Sequence, residues 1–187
     1  EMIINSYFKS YFSKNISSTK IAVCRAGNVI GGGDFSENRI IPDAFRNWEL
    51  KKNIIIRNPL ATRPWQHVIE PIYGYIVLAK HLSNKKINGQ IYNFGPSNRK
   101  HINTITLIKK LNKISRKFIK DGSYLIKKDK KKYYEANLLY LNSNKVKNVL
   151  GWKCILNLNE TLKYTSDWYI NYYNRNEKLY YFSINQI

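Results

Sequence analysis

RAGNVIGGGD, Arg25 to Asp34, follows directly on the apolar run KIAVC, Lys20 to Cys24, and together they read as a strand that opens into a glycine loop. The run suits a central strand of a parallel sheet covered on both faces, with Cys24 buried inside it. Gly31, Gly32 and Gly33 in succession accept torsions that side chains forbid and let another group come close to the main chain. In an open α/β sheet ligands sit at the carboxyl ends of strands, so Asn28 and the Gly31–Asp34 loop are expected to face a crevice. The natural guest there is an anion.

A second stretch supplies positive charge. In IRNPLATRPWQHVIEP, Ile56 to Pro71, Arg57 and Arg63 flank an Asn58-Pro59 turn. A guanidinium holds a phosphate through paired charge-assisted hydrogen bonds. Pro64 disfavours helix at Arg63 and keeps the backbone extended, which fixes the direction of the fork. Arg63 is therefore the first candidate for a phosphate ligand, against the alternative of an exposed surface arginine. Trp65 and His67 share the phrase, and a packed indole and a packed imidazole are their more ordinary roles.

Around these stretches strands and helices alternate. Ile3, Ile4, Tyr7, Phe8, Tyr11 and Phe12 recur at three- and four-residue spacing, an amphipathic helix with no Ser, Thr, Asp or Asn cap ahead of it. The chain is thus expected to enter in mid-helix, as a truncated or split sequence does. A helix is predicted from Pro42 to Leu50 and a short strand from Asn53 to Arg57. The next helix opens at Glu70-Pro71, where proline suits a first turn and the carboxylate meets the positive end of the helix dipole. GQIYNFGP, Gly89 to Pro96, reads as a strand ended by a Gly-Pro break. Asn103 or Thr104 caps a helix whose Ile105, Ile108, Leu111 and Ile114 share a face. Ser143 caps a shorter helix ending at Gly151, and Asn159 with Glu160 begins the last. The pattern is that of an α/β fold, without repeats or low-complexity linkers.

Lys and Arg number 32 against 12 Asp and Glu, a net charge of +20 that alone would suit nucleic acid. The lysines are scattered, however, and the one dense cluster, KKDKKKYY from Lys127 to Tyr134, reads as a solvated loop. No zinc-finger spacing, RRM-like aromatic signature or heptad-linked basic region accompanies it, so no nucleic-acid partner is assigned. A hydrophobic fraction of 43%, with 14% aromatics, argues for a packed core over disorder. No apolar run approaches the roughly 18 residues of a membrane span and no secretory leader is visible, so a cytoplasmic location is expected. Cys24 and Cys154 show no metal-ligand spacing and read as reduced structural thiols. His67, His81 and His101 have no partner that suggests a general base or a metal.

RAGNVIGGGD, RIIPDAFR (Arg39 to Arg46), ATRPWQHV (Ala61 to Val68), IYNFGPS (Ile91 to Ser97) and EANLLYLNSNKVKNVLGW (Glu135 to Trp152) are colinear over most of the chain. Together they resemble the C-terminal half of the extended short-chain dehydrogenase/reductases, and ATRPWQHV is closest to the CDP-glucose 4,6-dehydratase branch. The resemblance implies that residues 1–187 form the C-terminal part of a Rossmann-type parallel sheet with a small α/β substrate-binding lobe. It implies Arg63 and Asn93 near the diphosphate, Asn28 at the sugar or its phosphate, and Arg57 at ribose or base. Arg39 and Ile41 open the segment that covers the base. Glu135 accepts a hydrogen bond from the ligand, in a position where the branch has His-Glu-Ala and this chain has Tyr134-Glu135-Ala136.

The same resemblance implies an NAD cofactor, a G-x-x-G-x-x-G turn to seat it, and a Tyr-x-x-x-Lys pair to move protons. Both elements are expected upstream of Glu1, so no catalytic residue is assigned within the chain and it is expected to be inactive alone. The implied reaction takes CDP-glucose to CDP-4-keto-6-deoxyglucose and water, for deoxysugars of surface polysaccharide such as O-antigen. The intact enzyme is expected to be a homodimer that pairs through the helix whose tail is Glu1 to Phe12. The residues leave open a sibling enzyme for UDP- or dTDP-sugars, a non-enzymatic basic remnant, or a nucleic-acid binder.

Overall fold

The computed structural model describes residues 1–13, 18–96, 102–116, 119, 122–127 and 138–186. The stretch from Lys20 to Ile30 forms two strands, β1 (Val23–Ala26) and β2 (Asn28–Ile30), parted at Gly27. The cause is steric: a Cβ at Gly27 would lie 2.4 Å from the Pro64 carbonyl oxygen, so the chain passes this point and changes partners only as glycine. Two parallel ladders result, β1 with β6 (Ile91–Phe94) and β2 with β5 (Trp65–His67). A third parallel ladder joins β3 (Ile54–Ile56) to β8 (Tyr124–Ile126), and an antiparallel one joins β4 (Thr62–Arg63) to β7 (Ile102–Asn103).

Helices alternate with these strands, as the sequence pattern implies for an α/β fold. They are α1 (Met2–Tyr7), continued by a π-helical stretch Phe8–Phe12, α2 (Ile40–Glu49), α3 (Ile69–His81) and α4 (Thr104–Ser115). After these come α5 (Asn144–Leu150), α6 (Leu158–Tyr173) and α7 (Leu179–Asn185). None of the described helices is long and apolar enough to cross a membrane.

Two cores hold the elements. In the first, α2, β3, α4 and α6 bury Phe45, Trp48, Ile54, Leu111, Leu162 and Tyr169, with the Phe45 and Tyr169 rings stacked at 4.4 Å. The second lies under β6 and buries Leu78, Tyr92, Phe94, Val146 and Trp152. Asn103 caps α4, its side chain accepting from Thr106 N at 2.9 Å. The last long helix starts at Leu158, one residue before the expected Asn159. Asn157 is its cap, in a capping box in which Glu160 Oε2 accepts from Asn157 N at 2.7 Å. Ser143 precedes α5 but does not cap it, because its hydroxyl is taken by Gly95, whose N–H donates to it at 3.0 Å.

Cys24 is exposed, contrary to the expected buried strand: among the described residues β1 has a hydrogen-bonded neighbour on one side only. No residue of α1 or its π-helical extension is buried, and Ile3, Tyr7 and Tyr11 present an open apolar face.

Candidate functional site

Asn28, Arg63 and Asn93 come to one junction from three strands. β4 ends at Arg63, Pro64 follows, and Trp65 opens β5 in register with Asn28 of β2. Gly27 N donates to Phe94 O at 3.3 Å, which brings the Asn93–Phe94 end of β6 to the same turn. Gln66 fastens it further, Nε2 donating to Phe94 O at 2.8 Å. Beside the junction lies a cleft of 440 Å³, lined by Arg63, Pro64 and Trp65, by Pro96 and Ile102, by Leu139 to Leu141, and by Cys154 to Asn159 with Lys110. That volume falls within the range of small-molecule sites.

The cleft is cationic. Arg63 and Lys110 line it and, among the described residues, no Asp or Glu does. Arg63 is half-buried and its Nη1 donates to its neighbour's carbonyl, Thr62 O, at 2.8 Å. Trp65 Nε1 is buried with no acceptor, and Asn93, whose Nδ2 donates to Asn142 O at 3.2 Å, leaves its Oδ1 buried and unpaired. Buried polar atoms without partners are costly, and a polar ligand or an ordered water would satisfy them.

Glu70 stands in the first turn of α3, as its sequence position implies, and its carboxylate has a further task. Its Oε1 accepts from Ile155 N at 2.9 Å and from Leu156 N at 2.6 Å, and its main-chain carbonyl accepts from Trp152 Nε1 at 3.3 Å. The buried carboxylate therefore ties α3 to the segment that lines the cleft just before α6.

The glycine loop does not cradle a ligand. A Cβ at Gly32 would lie 2.0 Å from the Trp168 ring and one at Gly31 would lie 2.7 Å from Val68, while Gly33, at φ +80°, makes the turn that left-handed backbone requires. The three glycines admit the α6 indole against the main chain, and Tyr169 OH donates to Asp34 O beside it. Here the close approach that the triplet permits is protein packing.

Arg39 and Arg57 stand with acidic groups instead of in the Arg63 cleft. Arg39 Nη1 lies 3.3 Å from Asp34 Oδ2 and is well exposed. Burial pushes the Asp43 carboxyl up, against the opposing pull of Arg46 at 2.8 Å and of the more distant Arg57. Ile41 is only 2% exposed and its side chain is a contact of the first core, not a surface offered to a base. Glu135, Tyr134, His101 and the basic run beyond Lys127 lie outside the described residues.

His67 is buried, and burial holds its imidazole below the usual histidine range. Its Nδ1 is 3.5 Å from Ile69 N, and its buried Nε2 has no partner. A Tyr-x-x-x-Lys spacing does occur at Tyr124 to Lys128, but Tyr124 lies in strand β8, paired with Ile54 and packed on the first core.

Sequence reading passed over Lys110 and the Ile155–Asn159 segment. Lys110 adjoins Leu107, Ile108 and Leu111 on the buried face of α4, so it sits at the edge of that face. That flanking position is the one signal that could have flagged it.

Parallel strand ladders flanked by helices are shared with solved Rossmann-type nucleotide-sugar epimerases and dehydratases. A UDP-glucuronic acid 4-epimerase from Bacillus cereus, solved with UDP-glucuronic acid and NAD, matches with a TM-score of 0.74 at 19% identity over 91% of this chain and 49% of that one. A dTDP-glucose 4,6-dehydratase from Bacillus anthracis, solved with NAD, matches at 0.72 and 22% identity over 95% and 50%. These likenesses establish the fold. No protein-family model matches the sequence.

CDP-glucose 4,6-dehydratase of Salmonella typhimurium is 36% identical over 173 residues, which cover 90% of this chain and 47% of that protein. Over that length the chain is similar to a CDP-glucose 4,6-dehydratase, and it shares its fold with the nucleotide-sugar epimerase and dehydratase above. It spans about half the length of the curated relative it matches.

Proposed function

We propose that the chain is the nucleotide-sugar-binding portion of a CDP-glucose 4,6-dehydratase, an NAD-dependent lyase that converts CDP-glucose to CDP-4-keto-6-deoxyglucose and water. The observation that carries this reading is the position of Arg63 in a cleft with no carboxylate among its described lining residues, beside Asn28 and Asn93. A guanidinium there neutralises a diphosphate, and the two amides offer donors and acceptors to the sugar end. Fixing the diphosphate orients the hexose, a positional contribution to catalysis separate from proton or hydride transfer.

NAD supplies the hydride chemistry of such a reaction. The described residues do not fit its pyrophosphate: the glycine run is filled by Trp168, and the 187 residues hold no G-x-x-G-x-x-G turn. No step is therefore assigned to these residues beyond binding and orienting substrate. The reading extends to a cytoplasmic enzyme of deoxysugar synthesis, and the open apolar face of α1 supports a homodimer formed there.

Titration calorimetry with CDP, UDP and dTDP tests the reading, together with turnover of CDP-glucose in the presence of NAD. The 187 residues are expected to prefer CDP, to lose it in Arg63→Ala, and to form no 4-keto sugar. Absence of CDP binding, or equal affinity in Arg63→Ala, would refute the binding assignment; formation of the keto product would refute the division of labour.

A further inference from the structure

Lys110 belongs to a charge pattern that internal packing does not explain. It is half-buried on α4, lines the same cleft as Arg63, and its Nζ donates to the neutral amide oxygen of Asn159 at 3.2 Å. Asn159 is in the first turn of the 16-residue helix α6, whose positive end disfavours a nearby cation. The carboxylate in that turn, Glu160, is turned back onto Asn157 N in the capping box. Two cations thus share one cleft that no acidic side chain lines among the described residues, and a buried indole N–H from Trp65 stands unpaired in the same lining.

We propose that Lys110 is a second phosphate-binding cation of this cleft, exchanging the Asn159 amide for phosphate oxygens when a nucleoside diphosphate enters. The exchange needs little movement, because a lysine ammonium on its flexible stem holds phosphate as a point charge, whereas the Arg63 fork fixes direction. Diphosphate, with more charge than a monophosphate, is the ligand that two such groups would select. The inference rests on the nucleotide reading above and adds a residue to it.

The test is calorimetric titration of the full chain with CDP, CMP and cytidine at two salt concentrations. The variants are Lys110→Ala, Lys110→Arg, Arg63→Ala and, on the exposed side of α4, Lys109→Ala. Thermal melts check that each variant is folded. Lys110→Ala is expected to weaken CDP about tenfold, the size of one charge-assisted hydrogen bond, and to flatten the salt dependence. Cytidine affinity should be unchanged, Lys110→Arg should restore most of the CDP affinity, and Lys109→Ala should match the parent. Unaltered CDP affinity in Lys110→Ala, with a loss in Arg63→Ala, overturns the role of Lys110 and leaves the nucleotide reading standing. An equal loss for cytidine and CDP also overturns it, since that marks a structural effect. Failure of the unmutated chain to bind CDP overturns both.

Discussion

Glu70→Ala tests whether the cleft is held in shape by one buried carboxylate. Glu70 is 4% exposed, and its Oε1 is the acceptor for two main-chain donors, Ile155 N and Leu156 N. Hydrogen bonds to a charged group contribute about 1.5–3 kcal/mol each, so losing both acceptors would cost about 3–6 kcal/mol if the donors stayed dry. Ile155 is 72% exposed, however, and water can reach its N–H once the loop relaxes, which brings the expected loss toward the lower end. Glu70→Gln keeps an amide oxygen for the same donors and gives up only the charge, a cost of about 1–2 kcal/mol. Urea denaturation followed by far-UV dichroism measures both variants. The ordering parent, Gln, Ala, with an unchanged denaturant slope, is expected. Glu70→Ala within about 0.5 kcal/mol of the parent would refute the tie, since a change that small is within the scatter of surface substitutions.

Three further outcomes follow from packing and burial. Gly32→Ala puts a methyl 2.0 Å from the Trp168 ring, whose Nε1 is held at 2.8 Å by Ser183 Oγ, and should cost about 1–3 kcal/mol with a red shift of tryptophan emission; an unchanged spectrum and midpoint would contradict the packed loop. Burial holds His67 below its ordinary value, so the unfolded chain takes up its proton first as pH falls below about 6.5. The stability that neutral His67 carries is complete above that pH and declines until the native imidazole itself titrates. His67→Phe should flatten the urea midpoint between pH 7.5 and pH 5, and an undiminished slope would count against it. Burial raises the Tyr169 phenol well above its usual range, so it remains a donor to Asp34 O through ordinary alkaline pH. Tyr169→Phe should lose about 1 kcal/mol in the same assay, and no loss would sink that hydrogen bond.

The alternation of strands and helices was legible because each element has local causes. The apolar face of α4, the Asn103 cap and the left-handed Gly151 that ends α5 are all written within a few residues. What local pattern could not show is where a cap or carboxylate is recruited by a distant segment. Ser143 is drawn to Gly95 and Glu70 to Ile155 and Leu156, contacts set by the meeting of elements far apart in sequence. The same limit divided β1 from β2: nothing local to Gly27 announces that Pro64 will press against it.

The glycine triplet shows why a site is harder to read than a fold. A run of glycines states that something comes within van der Waals reach of the main chain, and a phosphate and an indole make the same demand on backbone geometry. Only the tertiary contact distinguishes them, and here Trp168 occupies the space. Arg63 is more legible because Pro64 constrains its backbone from within the chain, and the structure sets it in a cleft with no acidic lining among the described residues. Arg39 and Arg57 have the same chemistry but stand near Asp34 and Asp43, so their charge is partly offset within the protein. Candidate ligand residues of one chemical type are thus separated by what neutralises them, and that is a property of neighbours across the fold.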